Sequence, residues 1–194
     1  MKLHLSYPRI PSFRPLATLA SVALLALAST ALTAQMGGAQ PEPTYTSPAA
    51  TATVTIGGGT ITIKYNSPSL HGRHLGGPEI VPYGKVWRTG ANPATTLITS
   101  VPLKFGTLLV PAGTHTLYSL PSADTWQLIL NNQTGQWGLT YTQSMDLGRI
   151  PMQAKPMAVP QEGMSLSFEN TTPTSTELHM RWETTDRYVV ITAP

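Results

Sequence analysis

The sequence predicts an all-β fold, a single antiparallel β-sandwich or small barrel of about nine strands. Three features carry this expectation. Twelve of the 18 prolines fall between Pro68 and Pro194, and proline removes a backbone donor and breaks helix interiors. Few of the windows between them show a 3.6-residue apolar period, whereas period-two alternation recurs, as a half-buried strand requires. Clusters of Gly, Pro, Asn and Asp punctuate the alternating runs, as tight turns demand.

The elements follow in order. Thr60-Ile61-Thr62-Ile63-Lys64-Tyr65 puts Ile61, Ile63 and Tyr65 on one face, after the turn Gly57-Gly58-Gly59. Val86–Thr89, Thr95–Ser100, Leu103–Val110 and Thr114–Leu120 are the next strand candidates, the last opening after Pro111-Ala112-Gly113. Trp126, Leu128 and Leu130 form another row, followed by a strand over Arg149–Ala154. Met164, Leu166 and Phe168 alternate with Ser165, Ser167 and Glu169. Leu178, Met180 and Trp182 form the apolar face of a strand that pairs with Arg187–Thr192 as a hairpin. Its other face, with Glu177, His179, Arg181 and Glu183, is expected in water.

The N-terminus reads as a removable segment. Lys2, Arg9 and Arg14 precede an apolar stretch from Leu16 to Ala28, and small residues run on to Ala34. A basic start, a short apolar core and a small-residue exit make a secretory signal peptide. The stretch is Ala-rich and includes Thr18 and Ser21, weakly hydrophobic beside the roughly 20 apolar residues that span a bilayer. Residues 1–34 are assigned to the signal peptide, with cleavage after Ala34 preferred over Ala39. Residues 35–53, rich in Pro, Thr and Ala, read as a flexible linker. The β-domain is placed at 54–194, large enough to bury a core without staples.

Charge and cysteine content narrow the function classes. The chain has 12 Lys and Arg against 9 Asp and Glu, and no cysteine. Three of the basic residues lie in the signal segment, so the mature chain is neutral. A neutral domain has no field to gather nucleic acid or an acidic membrane surface, and no span is expected in the mature chain. Without cysteine there is no disulfide, thiolate metal site, cysteine nucleophile or lipid-bearing cysteine.

The densest polar stretch, Ser67 to Thr96, concentrates candidate ligand-binding residues: Arg73, His74, Trp87, Arg88, Asn92 and Thr95. His115 joins them from the strand after Gly113. Alternation through Val86–Thr89 sends Trp87 and Arg88 to opposite sides of the sheet. Trp87 then fills core, and Arg88 lies exposed, pairs with a carboxylate, or lines a pocket with Arg73 and Asn92. Asn92 precedes Pro93 and is expected in an extended conformation. Arginine donors and the Asn amide together suit a carboxylate, a phosphate or sugar hydroxyls.

Tyr65-Asn66-Ser67-Pro68-Ser69 with Gly72-Arg73, the run Val81-Pro82-Tyr83-Gly84-Lys85-Val86-Trp87-Arg88-Thr89-Gly90-Ala91-Asn92, and Pro111-Ala112-Gly113-Thr114 resemble a family. It is a secreted or periplasmic bacterial domain family of unknown function, and the likeness covers about residues 54–194. The resemblance implies an exported all-β domain and marks Gly72, Arg73, Trp87, Arg88, Gly90, Ala91 and Asn92 as signature positions. It supplies no activity. Pro93 stands where relatives often carry an acidic residue, and His115 where an aromatic is usual.

Chemistry of other kinds finds little support. His71 and His74 lie three apart in a glycine-containing loop beside Arg73, a poor setting for a cation, so neither a metal nor a cofactor is expected. No G-x-S-x-G is present. Glu177 and Glu183 stand about 20 Å apart along one strand, too far to flank one glycosidic bond. Trp137, in a turn-like segment, folds back over the domain edge or stacks on a sugar. The leading expectation is an exported domain that binds a small molecule or a cell-envelope partner. A hydrolase that orients an anion through Arg73, Arg88 and Asn92 is the alternative, and an interaction module the third reading.

One outcome follows from the N-terminal pattern. Intact-mass measurement of the exported protein should give a chain that begins at Gln35. Full-length protein that retains Met1 and sediments with membranes would overturn the assignment.

Overall fold

The computed structural model describes residues 46–193. The signal-peptide assignment and the first part of the linker lie outside the described residues. Eleven strands form: β1 (Ala49–Ile56), β2 (Gly59–Asn66), β3 (Thr95–Thr99), β4 (Leu103–Phe105), β5 (Leu108–Val110), β6 (Gly113–Leu120), β7 (Trp126–Asn131), β8 (Asp146–Lys155), β9 (Gln161–Glu169), β10 (Ser175–Glu183) and β11 (Thr185–Thr192). Nine of them run in the antiparallel order β1-β2-β3-β6-β7-β8-β11-β10-β9 and curl into a nearly closed barrel, with β1 approaching β9. The hairpin β4–β5 stands off this path and pairs with β11. Among the described residues no helix is long and apolar enough to cross a membrane.

Strand β8 makes the corner. Its early residues, Asp146 to Met152, pair with β7, and Gln153 to Lys155 pair with β11. One strand thus serves both halves of the barrel, and closure leaves few unpaired edges. The alternating rows point inward as their periodicity predicts: Ile61, Ile63 and Tyr65 from β2, Met164 and Leu166 from β9, and Leu178, Met180 and Trp182 from β10 are all buried.

At the centre of the core stand three tryptophans. Trp87 stacks on Trp182 with ring centroids 5.8 Å apart, and meets Trp126 edge-on at 6.3 Å. Both of the stacked indoles find acceptors: Trp87 Nε1 donates to the Gly90 carbonyl at 3.1 Å and Trp182 Nε1 to the Glu162 carbonyl at 2.9 Å. Buried tryptophan requires such a partner.

Three expectations need correction. Strand β1 takes in Ala49–Thr53, which composition assigns to the linker. Its Ala50, Ala52 and Val54 alternate as half-buried residues, and the ladder runs from Ala49 opposite Asn66 to Ile56 opposite Gly59. Leu103–Val110 is two strands, because Gly106, at φ 57, reverses the chain. Val86–Thr89 is not a ladder strand: only Trp87 pairs, with Ser119, and Thr89 takes φ 52.

The outer face of the last strands also differs from expectation. His179, read as solvated, is fully buried. Its Nδ1 meets Asp186 Oδ1 at 2.7 Å, its Nε2 meets Glu177 Oε2 at 3.0 Å, and the Tyr188 ring stacks on it at 4.9 Å. Arg181 completes the network: its Nε donates to Asp186 at 2.9 Å, and its two Nη atoms donate to the Glu169 carboxylate. Charges on a strand face are thus covered by their own neighbours. The Arg181 hydrogen bonds hold the Glu169 carboxyl at about 2, well below its ordinary 4.5.

A carboxyl lowered on folding adds stability above its unfolded value and loses it as pH falls toward the folded value. The Glu169 contribution should therefore be complete at neutral pH and fade between about 4.5 and 2. Thermal melts of the wild type and Glu169→Gln across this range should show a gap at pH 7 that narrows on acidification. A gap constant with pH would remove the ion pair as its cause.

Candidate functional site

The long connection from β2 to β3 contributes no ladder strand. It is fastened at separate points. Ser69 bridges to Gly163, Gly76 to Pro82, Trp87 to Ser119, and Pro93 to Trp137. Between these points Leu70, Val81 and Trp87 drop into the core.

The run Trp87 to Asn92 is shaped by close packing. Trp87 and Ser119 exchange backbone hydrogen bonds of 2.8 Å in both directions. The Thr89 hydroxyl meets Ser119 Oγ at 2.6 Å, and Thr95 Oγ1 donates to the Thr89 carbonyl at 2.9 Å. A Cβ on Gly90 would sit 2.8 Å from Thr95 Oγ1 and 3.1 Å from the Asn66 carbonyl, so the chain passes there only as glycine. Asn92 is not extended as expected before Pro93. It takes φ 60, a left-handed conformation that Asn tolerates better than most residues. Its carbonyl accepts Gly138 N at 3.1 Å, and its amide donates to the Ser47 carbonyl at 3.4 Å.

These constraints open a cavity of about 270 Å³ whose lining includes Arg73, Trp87, Arg88 and Asn92. Thr46, Ser47, Glu79 and the edge of Trp182 complete much of the wall. Composition hides Thr46 and Ser47, which sit in a Pro/Thr-rich run, and alternation assigns Trp182 to core alone. The signal for Ser47 lies instead in Asn66 and Asn92, whose amides both reach its carbonyl.

The two arginines are in different states. Arg73 is committed to its own loop: Nε donates to the Leu70 carbonyl and Nη2 to the Ser69 carbonyl, both at 2.9 Å. Arg88 makes no ion pair among the described residues. Its Nε is buried with no hydrogen-bond partner among the described residues, and burial lowers its pKa by desolvation. The stem lies across Gly138, where a Cβ would come within 1.9 Å of Arg88 Cδ.

The remaining candidates stand elsewhere. Thr95 is buried behind the cavity and holds Thr89. His74 is exposed on the loop and pairs with Glu183 Oε1 at 2.6 Å. His115 is buried on β6, opposite Leu97, where Nε2 meets the Pro111 carbonyl at 3.0 Å. Its Nδ1 is buried without a partner. Trp137 is about half exposed on its turn. Among the described residues no group of three or more His, Asp or Glu is arranged to hold a metal.

Gly138 offers a test of this packing. The Arg88 stem can swing away from an added methyl, but the Asn92 carbonyl, 2.5 Å from it, is backbone. Gly138→Ala should cost about 1–3 kcal/mol, the usual loss on overpacking, read as a lower denaturant midpoint. An unchanged midpoint would show the turn to be loose.

No curated protein and no solved structure matches this chain. A family model does, over residues 47–191, a span that opens at the residue whose carbonyl holds Asn66 and Asn92 and closes in the last strand. The chain therefore belongs to the DUF2911 family, described as a protein of unknown function.

Proposed function

We propose that this chain is an exported β-barrel domain that binds a small molecule or cell-envelope component carrying an anionic group, with Arg88 recognising the charge. The state of Arg88 is the observation behind the reading. The Arg88 guanidinium is partly withdrawn from water, with its Nε buried, and no counter-charge meets it among the described residues, an arrangement that costs free energy. A bound carboxylate or phosphate would provide both the opposite charge and a bidentate acceptor. Asn92, on the same cavity, adds a donor and an acceptor.

Binding is favoured over hydrolysis by what the cavity wall offers. Arg88 and Asn92 are suited to holding a charge, and the carboxylate on the lining, Glu79, is exposed. Export rests on the N-terminal pattern of basic, apolar and small residues, and the neutral mature charge argues against nucleic acid as partner.

Arg88→Met separates a binding role from a structural one. In a thermal-shift screen of the mature domain against acetate, succinate and inorganic phosphate, at least one anion should raise the melting temperature of the wild type. Arg88→Met should abolish that rise. Without ligand it should melt at or above the wild-type temperature, since an apolar side chain removes an unmet desolvation cost. A ligand-free loss of about 2 kcal/mol or more, the mark of a broken buried network, would make Arg88 architecture and overturn the reading.

A further inference from the structure

A second cavity, about 220 Å³, shares Ile80, Trp87 and Arg88 with the first. Its character is different. Pro82, Val86 and Leu139 line it together with Tyr118 and Tyr141, and its charged members are Lys85 and Arg88. The first cavity has a carboxylate on its wall, Glu79, whereas the second has none among the described residues. Lys85 makes no ion pair among the described residues. An apolar space is thus bordered by two cations with no acid opposing them.

The two tyrosines bring ring surface rather than hydroxyls. The Tyr118 hydroxyl donates to the Thr140 carbonyl at 2.6 Å and accepts from Gln136 at 2.8 Å. The Tyr141 hydroxyl donates to Asp146 at 2.7 Å and accepts from Arg149 at 2.8 Å. Burial and the bond to Asp146 push the Tyr141 phenol up to about 12, so it stays neutral at pH 7. The rings pack edge-to-face at 5.0 Å as one fixed wall. Beside them Leu139 is 78% exposed on the turn that Gly138 clamps against Arg88 and Asn92.

Resting on the Arg88 reading above, we propose that the anion is the head group of a soluble amphipathic organic acid whose apolar body lies in this second cavity, over Pro82, Val86 and Leu139. The head group meets Arg88, with Lys85 at the rim. The body covers Leu139, which the fold leaves open to water. An inorganic anion leaves the apolar space unfilled. A short dicarboxylate must desolvate its second charge against Val86 and Leu139, which is unfavourable.

Calorimetric titration of the mature domain with acetate, butanoate, hexanoate and octanoate tests this, with hexanamide as the uncharged control. In the wild type Kd should fall roughly fourfold for each methylene buried, through hexanoate, and hexanamide should not bind measurably. Leu139→Ser, at an exposed position, should weaken hexanoate severalfold and leave acetate unchanged. Arg88→Met should abolish all binding. A flat series in which acetate binds and Arg88→Met does not would overturn the amphipathic ligand while leaving the anion reading intact. Chain-length-dependent binding that survives in Arg88→Met, or equal binding of hexanamide, would overturn the anion reading and this proposal with it. No binding by any acid would overturn this proposal, and the anion reading falls with it only if inorganic phosphate also fails to bind.

Discussion

The stacking of Trp87 on Trp182 is the contact on which the candidate site depends. The connection between β2 and β3 has no ladder of its own, so its position is set by what it buries. Trp87 supplies the anchor, wedged between Trp182 and Trp126 and paired through its backbone with Ser119. Arg88, the next residue in the chain, lines the same two cavities as Trp87, so seating the indole places the cation beside them. Gly90 and Gly138 let the chain close around that arrangement, each at a point where a Cβ would collide with backbone or side chain. A single buried indole thus sets both the packing of the connection and the place of the cation beside it.

The same fold treats two arginines in opposite ways. Arg181 meets Glu169 and Asp186, and these partners meet His179 and Ser167 in turn. Its charge is compensated inside the network, and its partners hold its pKa above the ordinary value. For Arg88 burial acts alone and lowers the pKa. Net stability gains nothing from an uncompensated cation. The same fold thus builds a compensated arginine on its outer face and leaves Arg88 beside a cavity without a partner among the described residues.

Much of the barrel is legible in its periodicity. The rows Ile61-Ile63-Tyr65, Leu166-Phe168 and Leu178-Met180-Trp182 have strong apolar residues facing one way and polar ones the other. Strand β1 is harder, because its first two inward residues, Ala50 and Ala52, are alanines among threonines, a composition shared with linkers. What makes it a strand is the partner, β2, whose ladder it completes. His179 fails for a related reason: alternation gives the face of a residue, but not whether Tyr188, Glu177 and Asp186 close over it. The left-handed Asn92 is set by tertiary contacts to Gly138 and Ser47, which override the local bias from Pro93. The separation of Trp87 and Arg88 by face assumed a strand that does not form, and the missing ion pair of Arg88 could be seen only once the carboxylates of the described residues were placed.

The wall of the site comes from chain segments far apart. Ser47 lies before the first strand, Arg73 to Asn92 in the long connection, and Trp182 near the end of β10. The amides of Asn66 and Asn92 fix the Ser47 carbonyl, and Ser67 N donates to the Pro48 carbonyl at 2.8 Å. The segment that leads into the domain is therefore bound to the exit of β2 and to the run that presents Arg88. None of these segments makes a cavity alone; the cavity exists only when the lead-in is docked, the barrel is curled and Trp87 is seated. A ligand that binds there binds the folded state and not its parts, so its free energy adds to the stability of the whole barrel by mass action. Any binding at this cavity and closure of the fold would in that sense be one equilibrium.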